Sequence, residues 1–297
     1  MELDNRVTGK SRITGIIGSP VEHSISPQLH NTISRCLGLD IAYVPFRVEK
    51  HELENAVKGL SALNMLGFNV TLPYKREIIK HLGDVSETAL IIGAVNTVKN
   101  EGGILKGFNT DADGFYRSFE KEAGMGLNGK RVYMLGAGGA ARAIAVKAAE
   151  EGAERIYISN RSAHKAIEIA NLVYDRFGAA AEYVGLEGIE AVNAFRDSEV
   201  VINTTSVGMA PNIDENPLAP SFEFREGQVA YDVIYAPCET KFLKTAGLMG
   251  AKTVNGLGML VYQGVKSYEL WTGVDVPDEL VSEIIIEIKR VLYNIGE

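Results

Sequence analysis

The chain has 297 residues, 46% of them hydrophobic and 23% charged, and carries a net charge of −8. That much apolar material supplies a sizeable core and divides most naturally into two domains of ordinary size. The acidic balance excludes a general nucleic-acid binder, which needs a basic surface against phosphates, and no run approaches the ~20 apolar residues of a membrane helix.

Residues 13–18 are short, apolar and β-branched, and stop at Ser19 and Pro20, the pattern of a buried strand entering a loop. The loop crowds His23, Ser24, Ser26 and His30 around the start of a predicted helix, 27–37, with Pro27 at its first position and Ser26 as its N-cap. Capping accounts for one serine. Two serines alternating with Ile25 also suit a cavity in which both hydrogen-bond substrate hydroxyls or a carboxylate. Strand 41–48, helix 49–63 and strand 65–71 follow, the last ending in Asn69 and Thr71 ahead of Pro73 and Lys75. A parallel strand delivers its final side chains to the carboxyl edge of its sheet, where α/β proteins hold ligands. Lys75 is therefore either the cation of such a site or one more surface lysine. A helix over 76–82 leads to strand runs at 94–98 and 104–109, joined by a hairpin at Asn100, Gly102 and Gly103. Asp111 comes next, ahead of a helix over 113–126, and either caps that helix or reaches back to Lys75.

Residues 131–141 form an apolar run that breaks into glycines and opens an alanine-rich helix, which reads as strand, phosphate loop and helix. Gly136 permits the tight turn, Gly138 lets backbone N–H groups approach a pyrophosphate, and a small Ala141 lets helix and strand pack closely. Roughly 20 residues beyond the first glycine, where an NAD-binding fold places an acid, the chain has Asn160, Arg161 and Ser162. An arginine among small polar neighbours suits a 2′-phosphate, which a guanidinium bonds bidentately, so NADP is expected over NAD. The bland alternative is that Arg161 merely precedes a solvated helix over 162–178; the spacing favours the phosphate. Strands at 131–135, 155–159, 181–184, 199–203, 229–233 and 251–254 alternate with helices near 140–151, 162–177, 186–196 and 239–249, the pattern of a doubly wound dinucleotide fold. The strand ends at 203–209 and 231–235 should border the cofactor crevice. Helices from about 257 and over 276–294 should return to the first domain and make it discontinuous.

Cys36 and Cys238 lie far apart with no Cys-x-x-Cys spacing, so neither a disulfide framework nor a zinc site is indicated, and both are expected as packing residues. The five histidines contain no His-x-x-x-His pair, and no metal is expected. Residues 1–10 are charged and polar without the apolar stretch of a signal peptide, so the cytoplasm is the expected location.

Seven short motifs, in order along nearly the whole chain, resemble those of the shikimate dehydrogenase family, NADP-dependent enzymes of aromatic amino acid biosynthesis. They are Gly-x-Pro-x-x-His-Ser-x-Ser-Pro at 18–27, Asn-Val-Thr-x-Pro-x-Lys at 69–75, Gly-Ala-Val-Asn-Thr at 93–97, Gly-x-Asn-Thr-Asp at 107–111, Gly-Ala-Gly-Gly-Ala at 136–140, Asn-Arg-Ser at 160–162 and Tyr-Gln-Gly at 262–264. Ser162 replaces the family's commoner threonine and keeps the hydroxyl. The resemblance implies an α/β, two-domain protein: a substrate-binding domain with a mostly parallel sheet, 1–113 plus 257–297, and a Rossmann-type NADP-binding domain, 114–256. It implies Lys75 and Asp111 as the catalytic pair, and Ser24, Ser26, Asn69, Thr71, Lys75, Asn96, Asp111, Tyr235 and Gln263 around the substrate. For the cofactor it implies Gly136, Ala137, Gly138, Gly139, Ala140, Asn160, Arg161, Ser162, Lys165, Thr204, Ser206, Met209, Val233, Gly256 and Met259. The activity it implies is reversible reduction of 3-dehydroshikimate to shikimate. Relatives that accept NAD and quinate usually carry an acid close to that arginine, and this chain has none there. The rivals are an NAD-tolerant quinate/shikimate enzyme, a folate-type methylene dehydrogenase, which gains no support from the Ser24/Ser26 loop, and a non-catalytic ligand sensor, against which Lys75 and Asp111 stand together. The small-molecule substrate is the expected partner. Oligomeric state, a homodimer included, stays open.

Overall fold

The computed structural model describes residues 7–293. In chain order the elements are β1 Arg12–Gly18, α1 Ser26–Cys36, β2 Ile41–Arg47, α2 Leu53–Ala62, β3 Gly67–Val70, β4 Asp84–Val85, α3 Glu87–Ile92, β5 Thr97–Glu101, β6 Ile104–Phe108 and α4 Thr110–Ala123. The second half continues with β7 Arg131–Leu135, α5 Gly139–Glu150, β8 Arg155–Ser159, α6 Ala163–Phe177, β9 Ala180–Val184, α7 Ile189–Asp197, β10 Val200–Asn203, β11 Val229–Asp232, α8 Lys241–Leu248, β12 Lys252–Val254, α9 Leu257–Thr272 and α10 Asp278–Tyr293. Among the described residues no helix is long and apolar enough to cross a membrane.

The fold divides into two compact units: residues to Thr110 with Gln263–Ile286, and Asp111–Tyr262 with the chain from Glu287. The divisions fall at the start of α4, within α9 and within α10, so the last part of α10 groups with the second unit whereas 257–297 was expected with the first.

The first unit holds a six-stranded sheet in the order β2-β1-β3-β5-β6-β4. β1 pairs in parallel with both β2 and β3, β4 in parallel with β6, and only β5 runs against its neighbours. One face buries Ile17, Phe68, Val70, Val98 and Leu105 under α2 and the segment around Tyr74 and Ile78. Ile16 and Tyr43 on the other face meet Trp271 of α9.

The second unit is a fully parallel sheet ordered β12-β11-β10-β7-β8-β9. Its first strand lies in the middle and the chain winds outward both ways, the doubly wound arrangement expected from the sequence. Period-two alternation explains why both faces are apolar. Val132, Met134, Ile156, Ile158, Val200 and Ile202 pack with α4, α5 and α6, whereas Tyr133, Leu135, Val201 and Ala230 pack with α7 and α8.

Four local expectations are corrected. The helix expected over 76–82 is a single 3₁₀ segment, Glu77–His81. Ser26 is not an N-cap: α1 begins at Ser26 itself after Ile25, with no side-chain cap, and the Ser24 hydroxyl instead accepts the Ser26 N–H at 3.2 Å. Asp111 does not cap α4 but lies inside a first turn that opens at Thr110. Cys36 and Cys238 are both exposed rather than packed.

Candidate active site

The sheet of the first unit brings its polar residues together for a directional reason. The carboxyl ends of β1, β3 and β6 share one edge, and antiparallel β5 begins at that same edge. The register Asn69↔Thr97 and Thr97↔Phe108 therefore sets Asn69, Asn96, Thr97, Asn109 and Thr110 side by side. Backbone bonds fix the loops that leave this edge. The Thr71 N–H donates to Ile17 C=O at 2.9 Å, the Val70 N–H to Asn96 C=O at 2.8 Å, and the Val95 N–H to Lys75 C=O at 2.7 Å. Lys75, half-buried, is thereby tied to the segment that carries Asn96.

Asn96 is buried and bonds to Thr110 and Gln263; its Nδ2 donates to Gln263 Oε1 at 3.3 Å and its Oδ1 accepts the Thr110 N–H at 2.7 Å. Asn69, also buried, accepts from the Tyr43 hydroxyl at 2.8 Å and donates toward Ser267 at 3.0 Å. Burial raises the Tyr43 phenol above its ordinary range, opposed by the Ser26 hydroxyl. The structure thus gathers Asn69, Asn96 and Gln263 in one network, with Ser26 at its margin. Ser24 remains at the loop before α1, half-exposed.

His30 departs from the expectation that it lines the loop. It is buried, stacked on Tyr43 with ring centroids 4.3 Å apart, and among the described residues neither ring nitrogen has a partner within hydrogen-bonding geometry. Desolvation lowers its pKa to about 3, so it is neutral at physiological pH. Sequence reasoning missed Tyr43, Thr97, Thr110 and Ser267. Ser267 was findable, since it lies one helical turn beyond Gln263 on α9.

In the second unit the turn after β7 meets the loop after β10 at the switch point of the sheet. Gly136 has φ +106° and faces Thr204, whose Oγ1 would lie 2.5 Å from any added Cβ. The Thr204 hydroxyl donates to Leu135 C=O at 2.6 Å. At Gly138 and Gly139 an added Cβ would meet nothing within 4 Å, so the backbone opening α5 faces free space. Ala141 is fully buried, as close helix–strand packing requires. Asn160 Nδ2 donates to Ser162 C=O at 3.0 Å and shapes the turn into α6; Arg161 and Lys165 are exposed, and Arg161 makes no ion pair among the described residues. Ser206 and Met209 are exposed on the loop after β10. Gly256 closes against β11, its N–H donating to Ile234 C=O at 3.1 Å, while an added Cβ would come within 2.1 Å of Val233 C=O. Met259 is partly buried and packs against the core of this unit. Tyr235 is half-buried and accepts a hydrogen bond at its carbonyl from the Tyr293 hydroxyl.

This unit has residues that fit a dinucleotide such as NADP: a glycine turn with open space beside it, the start of a helix at Gly139, and the exposed Arg161, which makes no ion pair among the described residues.

Three family models match the chain: shikimate dehydrogenase substrate binding domain over residues 16–98, shikimate/quinate 5-dehydrogenase over 118–217, and shikimate 5'-dehydrogenase C-terminal domain over 256–285. The shikimate dehydrogenase (NADP(+)) of Methanopyrus kandleri is 40% identical over 98% of this chain and 100% of its own. The chain belongs to the shikimate dehydrogenase family. Among solved shikimate dehydrogenases, the shikimate 5-dehydrogenase of Listeria monocytogenes, in complex with shikimate and NAD, is 37% identical with a TM-score of 0.91 over 95% of this chain and 99% of that one. The 5-ketofructose reductase of Gluconobacter sp. strain CHM43 is nearly as similar, 38% identical with a TM-score of 0.86 over 95% of this chain and 100% of that one. The fold of this chain is thus shared with a reductase named for a different ketone.

Proposed function

We propose that this protein is an NADP-dependent shikimate dehydrogenase that reversibly reduces 3-dehydroshikimate to shikimate, in the aromatic amino acid pathway. What carries the reading is the convergence of Asn69, Asn96 and Gln263 at one sheet edge, with the Lys75 backbone bonded into it. A polyhydroxylated acid offers that many hydrogen-bonding groups. Ser24, Ser26, Thr71, Asn96, Asp111 and Gln263 are assigned to its carboxylate and hydroxyls, Asn69 to the same layer, and Tyr235 to its border. The substrate-binding half is 1–113 with 257–297 and the NADP-binding half 114–256. Gly136 to Ala140 take the pyrophosphate, Asn160, Arg161, Ser162 and Lys165 the 2′-phosphate end, and Thr204, Ser206, Met209, Val233, Gly256 and Met259 the remainder of the dinucleotide.

The bound dinucleotide supplies a hydride to the ketone carbon. The ketone oxygen gains charge as its carbon is reduced and must receive a proton. Lys75 is assigned as its donor, with Asp111 orienting it; in the reverse direction Lys75 takes the proton back. Lys75→Ala should lower kcat at least ~100-fold with cofactor affinity little changed, the scale of a positioned acid or base. Steady-state rates followed by NADPH absorbance check this, and an unaltered kcat removes Lys75 from the mechanism. Arg161→Ala should weaken NADPH far more than NADH; equal losses contradict the 2′-phosphate assignment. Shikimate, quinate and 5-ketofructose assayed side by side with both cofactors separate the proposed activity from its neighbours, and turnover of none of them would leave the sensor reading. A cytoplasmic location belongs to this proposal; a homodimer is decided by light scattering.

A further inference from the structure

In the second unit, the loop that leaves β10 is built around one buried amide. Asn203, Asp232 and Thr240 are buried and joined side chain to side chain. Asn203 Nδ2 donates to Asp232 Oδ1 at 3.1 Å, and the Thr240 hydroxyl donates to Asp232 Oδ2 at 2.6 Å while accepting the Leu243 N–H of α8 at 3.3 Å. Asp232 Oδ1 also accepts the Ile234 N–H at 3.0 Å. The anchor thus runs from the start of α8 through the end of β11 to the end of β10.

From that anchor Asn203 holds the following loop by both ends of its amide. The Thr205 backbone N–H can only donate and lies 3.0 Å from Asn203 Oδ1, whereas the Val207 carbonyl can only accept and lies 3.4 Å from Nδ2, so the amide has one orientation. The Thr205 hydroxyl donates to the same Oδ1 at 2.7 Å and accepts the Val207 N–H at 3.1 Å. Each proton is used once: those of Nδ2 go to Asp232 and Val207, that of Thr205 to Asn203, and that of Thr240 to Asp232. The backbone on either side is fixed as well. The Thr204 N–H donates to Leu135 C=O at 2.9 Å, and the Val233 N–H to Asn203 C=O at 3.0 Å. Residues 204–207 are therefore wound on a buried side chain, and Ser206, between two tethered neighbours, is exposed.

A doubly wound sheet holds a dinucleotide as two mononucleotide halves, one on each side of the point where the strand order reverses. Arg161, assigned to the 2′-phosphate, follows β8, which leaves the ends of β10 and β11 for the other half. We infer that Asn203, with Asp232 behind it and Thr205 in front, is a positioning residue for the nicotinamide half of the cofactor. It touches no ligand itself; it sets the shape of the loop that carries Thr204 and Ser206. The inference rests on the proposed NADP assignment.

Calorimetric titrations with NADPH and with adenosine 2′,5′-bisphosphate, which has the 2′-phosphate end and no nicotinamide, test it. Thr205→Val keeps the methyl that faces Gly136 and removes only the hydroxyl that ties Asn203 to Val207. NADPH affinity should fall about 10-fold while that for the bisphosphate stays within about twofold. Thr205→Ser restores the hydroxyl and should return NADPH affinity toward wild type. Asn203→Ala releases the whole loop and should show the same split, at least as large; Thr205→Val, on a half-buried loop residue, carries the test where Asn203→Ala does not fold, and Thr205→Ala replaces it where the valine is not accommodated. A merely structural role would weaken both ligands in parallel, or leave the serine variant as impaired as the valine one. Either result overturns the inference, and so does unchanged NADPH affinity in Thr205→Val. Wild-type protein that binds neither ligand defeats the NADP assignment and this inference with it; wild type that binds both, with variants that show no split, defeats this inference alone.

Discussion

Asp232 shows how a single side chain can work against the fold that contains it. It ends β11 fully buried and accepts three hydrogen bonds, from Thr240 Oγ1 at 2.6 Å, the Ile234 N–H at 3.0 Å and Asn203 Nδ2 at 3.1 Å. Desolvation nevertheless outweighs them and raises its pKa to about 6. Because the folded value lies above the unfolded one, the native state holds the proton more tightly, and this stability is present at low pH and lost as pH rises through about 6. The window runs from the ordinary carboxyl value of 3.8 to about 6, a scale of roughly 3 kcal/mol. Asp232→Asn keeps the shape and can still bond to Thr240, so its stability relative to wild type should climb between pH 4 and pH 7. Urea titrations of both proteins across that range decide it; parallel curves would show that Asp232 does not titrate there. The strand end was legible in the sequence, but the titration was not. Burial comes from α8 and the loop after β10 closing over the carboxyl, and neither is encoded next to it.

At the scale of elements, two glycines of the cofactor unit separate packing from binding. Gly256→Ala drives a methyl to within 2.1 Å of Val233 C=O, a backbone atom that cannot move aside cheaply. Overpacking of this kind costs ~1–3 kcal/mol, so the melting temperature without cofactor should fall. Gly138→Ala meets nothing within 4 Å and adopts ordinary backbone angles, φ −90°. Its melting temperature should hold, while NADPH affinity drops about 10-fold or more as the methyl fills the approach of the pyrophosphate. Thermal melts and cofactor titrations check the pair, and a destabilised Gly138→Ala that binds normally would contradict it. The same contrast explains which elements could be read from sequence. The inner strands of the parallel sheet, β7, β10 and β11, are buried on both faces and announce themselves as apolar runs, and all six strands were expected close to where they lie. β4 and α3 were not, because two residues and six residues carry no period. β4 exists through its pairing with β6, Asp84↔Lys106 and Val85↔Gly107, and the Lys106–Asp84 ion pair at 2.7 Å. The 3₁₀ segment at Glu77–His81 similarly depends on Ile78 reaching the core, which no local pattern fixes.

For the molecule as a whole, the governing fact is that the chain leaves the first unit at Thr110 and returns to it at Gln263. The returning stretch is not a decoration. Trp271 Nε1 donates to Val98 C=O at 2.9 Å, and its ring lies so close to β3 that a Cβ on Gly67 would come within 2.3 Å of it. Tyr268 bonds the Ser34 hydroxyl at 3.2 Å, and Ser267 enters the buried layer of Asn69, Thr97 and Thr110. Without α9 the sheet would lose both the Ser267 hydroxyl shared by Asn69, Thr97 and Thr110 and the apolar cover that Trp271 gives Ile16 and Tyr43, and each large apolar side chain returned to water costs ~1.5–3 kcal/mol. That penalty is of the order of the ~5–15 kcal/mol by which a domain is stable at all. A fragment of residues 1–110 should therefore lack a cooperative transition, despite containing every strand of its sheet. Residues 111–262 present the opposite case: a parallel sheet with its own helices over both faces and a core that draws on nothing earlier in the chain. That fragment should unfold cooperatively in urea and retain NADP binding. Circular dichroism during denaturation distinguishes them. A sharp sigmoidal transition for 1–110 would mean that the first sheet carries enough stability without the returning helix.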